Sequence, residues 1–116
     1  MGARTTRWVS ENRLQQEVFT WHWNNVPEER GLLFMVNNQG SSRINGARLK
    51  SMGVVPGVSD MIYLRPGGRP LLLEAKTEIG KQSRRQRDWQ ARVEAVGYEY
   101  HVFRSLEEVK QLCGWT

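Results

Sequence analysis

The chain has 116 residues, room for one modest core, and reads as a single domain over 1–116. Hydrophobic residues are 39% and charged residues 25%, an ordinary globular balance with no apolar run of membrane-spanning length, and the single cysteine, Cys113, excludes a disulfide framework and a cysteine-rich zinc site and fits a reducing, cytoplasmic home. The formal charge of +5, carried by 13 Arg against 4 Lys, fits a polyanionic partner as well as it fits plain solubility.

Residues 1–9 read as a basic arm without the apolar segment of a signal peptide. Ser10 caps a predicted helix running to about Asn24, whose stripe Leu14, Val18 and Trp21 faces a core. Pro27 and Gly31 bracket a turn, and Leu32–Val36 is a continuous apolar run expected as a buried strand. The polar run 37–45 is loop-like, and Ala47–Met52 fits a short helix ended by Gly53. Val58–Leu64 and Leu71–Lys76 flank the reversal Arg-Pro-Gly-Gly-Arg-Pro and form an expected antiparallel hairpin. Ser83 opens a second long helix that stops at Gly97, with a core stripe of Trp89, Val93 and Val96. Tyr98–Phe103 is a further strand, and Ser105 with Glu108 forms a capping box for a last helix, Leu106–Leu112. The resulting class is α/β: a small mixed sheet with helices on both faces.

Only two of the twelve acidic residues are aspartate, and one of them, Asp60, falls early in the first hairpin strand. Glu74 and Lys76 fall late in the second. Strand side chains alternate faces, so Glu74 and Lys76 share one, and the start of one hairpin strand lies across from the end of its partner. Asp60 can therefore approach Glu74. Two close carboxylates repel unless something positive stands between them, which suits a hard divalent cation that keeps several waters. Such an ion polarises a phosphoryl oxygen and acidifies a bound water, while Lys76 holds that water and offsets charge on the pentacovalent transition state. A carboxylate and a lysine on one strand face are more often a solvated pair than a site. The run Leu-Leu-Leu before Glu74 argues the other way, because an unpaired acid in a central strand is costly. His22 and His101 are isolated and lack metal-ligand spacing, and Cys113 reads as packing.

These residues sit within a longer pattern. Ser-Glu-Asn-Arg-Leu-Gln (10–15), Asn-Asn-Gln-Gly (37–40), the block 48–64 that contains Asp60, Leu-Leu-Leu-Glu-Ala-Lys (71–76) and the stretch 80–109 follow one another in the order of the virus-type replication-repair nuclease (VRR-NUC) family. The chain resembles that branch of the PD-(D/E)XK, restriction-endonuclease-like nucleases over nearly its whole length. Ser59 departs from the pattern, standing where the family commonly has proline. The resemblance implies a Mg2+- or Mn2+-dependent DNA endonuclease with no organic cofactor. In it Asp60, Glu74 and the backbone carbonyl of Ala75 are metal ligands, and Lys76 is the catalytic lysine. Glu11 matches the family's first-helix acid, reaching the metal through water, and fits better than its rival Glu17. Gln86 matches a glutamine beside the site. By the same resemblance a homodimer acting on branched DNA such as Holliday junctions, encoded by a phage or mobile element, is expected.

Gln86 also has a structural reading, because Ser83-x-x-Gln86 is itself a capping box. Lys81, Arg84, Arg85, Arg87 and Arg92 make the second long helix strongly basic, and Arg84 and Arg85 at its start oppose the helix dipole. A phosphate-tracking DNA surface accounts for them, with Arg43, Arg48 and Lys50 as weaker candidates for the same role. Trp23 lies off its helix's stripe and reads as packing at an interface. Two other functions compete with a junction-selective nuclease: a nuclease with little structural preference acting on flaps, single strands or duplex, and a basic DNA-binding module that does not cleave.

Overall fold

The computed structural model describes residues 10–36 and 43–116. Helix α1 (Glu11–Asn25) starts where Ser10 Oγ accepts the backbone N–H of Arg13 at 3.0 Å, satisfying one of the free donors of the first turn. A 3-10 turn (Pro27–Glu29) leads to β1 (Leu33–Met35), followed by α2 (Arg43–Ser51), β2 (Met61–Arg65), β3 (Arg69–Ala75), α3 (Arg84–Ala95), β4 (Glu99–Phe103) and α4 (Leu106–Cys113). The sheet order is β1-β2-β3-β4, antiparallel except for β4, which runs parallel to β3 after the α3 crossover. The sheet is therefore mixed, as expected, and the hairpin register pairs Met61 with Leu73 and Arg65 with Arg69. Among the described residues no helix is long and apolar enough to cross a membrane.

Alternation along β3 divides the interior. Leu71, Leu73 and Ala75 join Leu33, Met61, Tyr63 and Phe103 beneath α1 (Leu14, Val18) and α4 (Val109). Leu72 and Glu74 turn to the other face, where Trp89 of α3 packs edge-on against Tyr100 at 6.0 Å. Both faces are covered, so every residue from Leu71 to Lys76 is buried. Each fully buried leucine contributes about 1.5–3 kcal/mol of transfer free energy.

Several expectations are corrected. Among the described residues the segment expected as a buried strand is an edge strand: only Leu33 is buried, while Phe34 and Met35 are exposed, because β1 pairs with β2 alone. Trp21 is half-buried, stacked on Trp115 at 5.2 Å. One position on, His22 takes the core place, bonded to Glu29 at 3.0 Å, while Tyr63 donates to the same carboxylate at 2.6 Å. Helix α2 begins at Arg43, ahead of the expected Ala47. In α3 no residue is fully buried, and Val96, expected in the core stripe, is exposed because it is the residue that ends the helix. Trp23 lies off the buried stripe, as expected, and is exposed, stacked against Phe19 with Arg30 over its ring. Ser105 caps α4 as expected, but Glu108 reaches back to the N–H of Arg104, one residue before the cap. The Asn-Asn-Gln-Gly segment and the basic arm 1–9 lie outside the described residues.

One close approach ties the loop before β2 to the start of α3. Gly57 has φ +86°, and a Cβ placed there would lie 2.5 Å from the backbone carbonyl oxygen of Arg85. Gly67, in the hairpin turn, also has positive φ but open space around it. Gly67→Ala is therefore expected to cost only the left-handed strain of about 1–2 kcal/mol. Gly57→Ala adds a backbone clash and should lower Tm by more than roughly 8 °C. Thermal denaturation of the two variants separates the terms, and equal losses would refute the brace between the loop and α3.

Candidate active site

The strand ladder and one side chain together place the acidic pair. Lys76 donates its backbone N–H to the Phe103 carbonyl at 3.0 Å, so the alternation of β3 turns the backbone groups of Ala75 to the opposite side, toward β2. There the Ala75 N–H is taken by Asp60 Oδ2 at 2.8 Å. A side chain replaces a ladder carbonyl at this point, and β2 begins one residue later, at Met61. Asp60 thus precedes the strand in which it was expected. Buried Ser59 holds the bend by donating to the Met61 carbonyl at 3.2 Å. The N–H and carbonyl of a strand residue point the same way, so the Ala75 carbonyl faces the Asp60 side as well.

Glu74 lies one position beyond the Met61–Leu73 pair and across from Asp60. It is 0% exposed. Its Oε1 accepts from the hydroxyl of Tyr100, while Oε2 is buried with no hydrogen-bond partner among the described residues. Lys76, 6% exposed, places Nζ 3.7 Å from Glu74 Oε2 and 3.6 Å from Glu11 Oε2. Glu11 comes from the first turn of α1, so that helix, β3 and the loop before β2 converge at one end of the sheet. The following turn is fixed by Arg104, whose guanidinium donates to the carbonyls of Thr77 and Gly80.

Burial pushes the carboxyl of Asp60 up from its ordinary range, partly offset by the Ala75 N–H, with the charge of Glu11 raising it further. Burial likewise raises Glu74, against the lowering effects of the Tyr100 hydroxyl and of Lys76, while Asp60 and Glu11 add repulsion. Two raised acids facing each other are short of positive charge. Among the described residues no three His, Cys, Asp or Glu side chains converge as a ready-made metal cage. The donors among the described residues are two carboxylates and a backbone carbonyl, one carboxylate oxygen being buried and unpartnered there. A set of few, hard oxygens fits Mg2+ or Mn2+, which retain waters, and does not fit a soft metal.

Asp60, Glu74, Lys76 and Glu11 are therefore brought together, with the Ala75 backbone beside them. Gln86 is placed differently. Its side-chain oxygen accepts from the Ser83 N–H at 2.8 Å and its own N–H donates to Ser83 Oγ at 3.2 Å, a reciprocal cap. Among the described residues it makes no hydrogen bond to either carboxylate. Arg84, Arg85, Arg87 and Arg92 are exposed on α3, and Lys81 is exposed just before it. Arg84 pairs loosely with Asp88 at 3.9 Å, and Arg87 donates to the Gln82 carbonyl. Arg48 and Lys50 are exposed on α2, and the side chain of Arg43 lies outside the described residues. Sequence reasoning missed Tyr100, Gln82 and Arg104. The alternation of β4 puts Tyr100 on the face of Leu72, but only the parallel β3–β4 register brings it to Glu74.

No protein-family model and no curated protein matches the chain. Solved structures do, two of them VRR_NUC domains. One, a VRR_NUC domain protein, is 19% identical with TM-score 0.69, over 89% of this chain and 84% of that one. The other, a VRR_NUC domain, is 20% identical with TM-score 0.57, over 84% of this chain and 91% of that one. The architecture built from these elements, a four-stranded mixed sheet flanked by helices, is the fold of the VRR_NUC domain.

Proposed function

We propose that the chain is a VRR-NUC nuclease that hydrolyses phosphodiester bonds in DNA with Mg2+ or Mn2+. The observation that carries this reading is Glu74: a fully buried carboxylate with one oxygen unpartnered among the described residues, across from Asp60 and beside the Lys76 ammonium. A solvated surface pair, the competing account of the same three residues, does not bury an acid and a lysine together. Asp60, Glu74 and the Ala75 carbonyl would hold the cation, with Glu11 reaching it through water. When bound, the cation supplies Lewis-acid polarisation of the phosphoryl oxygen and lowers the pKa of water.

The chain's own groups do the rest. Lys76 Nζ, held between Glu11 and Glu74, is placed to orient the attacking water and to offset negative charge as it grows on phosphorus. The buried floor of the site excludes bulk water and keeps these charges effective. Gln86 keeps the start of α3 beside the site through its cap. The exposed cations of Lys81, Arg84, Arg85, Arg87 and Arg92, with Arg48 and Lys50, would track the phosphate backbone. The preferred substrate is branched DNA such as a Holliday junction, cut by a homodimer whose two sites nick symmetric strands. Light scattering that shows only monomer at working concentration would remove the dimer.

A cleavage assay on a four-way junction and a matched linear duplex, with Mg2+, Mn2+ or EDTA, tests the whole reading. Cleavage in either metal and none in EDTA is expected, faster on the junction. Equal rates on both substrates would point to a nuclease with little structural preference, and no cleavage of any DNA would overturn the nuclease reading.

A further inference from the structure

Behind Glu74 lies a chain of hydrogen bonds that neither the proposed metal site nor the DNA surface requires. Tyr100 is 4% exposed, and its ring is seated edge-on against Trp89 of α3. Its hydroxyl donates to Glu74 Oε1. Behind the hydroxyl, the Gln82 side-chain amide approaches at 3.5 Å and also donates to Gln90 Oε1 at 2.9 Å. Gln90 in turn donates to Glu94 at 3.2 Å. The chain thus runs from the exposed surface of α3 through Gln90, Gln82 and Tyr100 to the buried carboxylate.

We infer that Tyr100 is a positioning residue for Glu74: by occupying Oε1 from the α3 side, it leaves Oε2 as the oxygen free for a cation and holds it on the side of Lys76. The geometry gives the reason. A buried carboxylate has two oxygens and a rotatable terminal torsion, and without a donor it has no preferred oxygen to present. One hydroxyl on one oxygen removes that choice before the ion arrives. Gln82 stiffens the arrangement in turn, because its amide fixes the direction of the tyrosine hydroxyl. Partners behind metal-binding carboxylates typically alter metal affinity or activity 10–100-fold when removed. This inference rests on the metal-site reading above.

The test uses the whole chain and the metal alone, without DNA. Wild type, Tyr100→Phe and Gln82→Ala are titrated with Mg2+ and with Mn2+, and the rise in Tm is followed. Tyr100→Phe is expected to raise the half-maximal metal concentration by about tenfold. Gln82→Ala should shift it less, in the same direction, and Tyr98→Phe, at an exposed tyrosine, should leave it in place. A purely structural tyrosine would lower the metal-free Tm and leave the metal midpoint unchanged, an outcome that overturns the inference while the metal site survives. A wild type whose Tm ignores both metals overturns the metal-site reading and this inference with it. Should Tyr100→Phe fail to fold, Gln82→Ala decides alone: a raised midpoint supports the inference and an unchanged one removes it.

Discussion

Replacing Lys76 by alanine or methionine is expected to reduce DNA cleavage at least about 100-fold while leaving DNA binding within a few-fold of wild type. A single preorganised donor aimed at developing charge is worth about 100–1000-fold in rate. In the proposed function Lys76 is such a donor: the residue is 6% exposed, and its ammonium lies 3.7 Å from Glu74 and 3.6 Å from Glu11. In the same proposal binding rests on other cations, exposed on α3 and before it, whose contacts with phosphate would persist when Lys76 is gone. Lys76→Met keeps most of the packing volume beside Glu74, so it separates lost charge from lost packing. Single-turnover cleavage and fluorescence anisotropy of labelled DNA in EDTA measure the two properties separately. Cleavage by Lys76→Met within about threefold of wild type would end the assignment. A parallel fall in binding and cleavage would instead place Lys76 among the DNA contacts.

The second large effect is on stability. Asp60 and Glu74 have folded-state pKa values above their ordinary ones, raised chiefly by burial. The fold therefore favours their neutral forms. Their contribution is fully present below the ordinary carboxylate pKa and is lost as pH rises through the raised values. Metal-free protein should accordingly lose stability from these two groups between weakly acidic and neutral pH, and a bound divalent cation should restore it. Other acids act in the opposite sense. Glu99 is held down to about 2 by the Arg65 guanidinium and by His101, so its contribution is present at neutral pH and is lost only in strong acid. In Glu29, burial raises the carboxyl, but hydrogen bonds from Tyr63 and His22 outweigh it and leave it lowered.

Comparison of wild type with Glu74→Gln isolates the buried acid from this background. The neutral amide keeps the shape and removes the desolvation cost. Metal-free Glu74→Gln should thus melt higher than wild type at pH 7–8, with the gap closing toward pH 4. It should also lose both the metal-dependent rise in Tm and DNA cleavage. A group kept charged at a cost to stability, and needed for activity, is what a functional carboxylate should show. Differential scanning fluorimetry across pH, with and without Mg2+, reads the two melting quantities, and single-turnover cleavage reads the third. If the variant melts lower than wild type at neutral pH, the Lys76 and Tyr100 contacts outweigh burial and Glu74 is a structural member of an ion pair.

Much of this molecule is legible in residue order. The hairpin around Pro66–Arg69, the Ser10 and Ser83 caps, and the shared face of Glu74 and Lys76 follow from turn chemistry, capping and the two-residue period of a strand, all set by neighbours along the chain. Those same local rules place Asp60 near Glu74. Interactions between distant residues were not legible in that way. Which sheet position β1 takes decides that Phe34 and Met35 are exposed although their run is apolar. Local periodicity does not state that β4 lies parallel to β3, and it is this register that delivers Tyr100 to a carboxylate 26 residues away. The capture of the Ala75 N–H by Asp60, the burial of His22 against Glu29 and Tyr63, and the contact of Gly57 with Arg85 belong to the same group. The physical reason is common to them: side-chain periodicity reports which face a residue takes, whereas the occupant of the space opposite that face is set by how the layers pack.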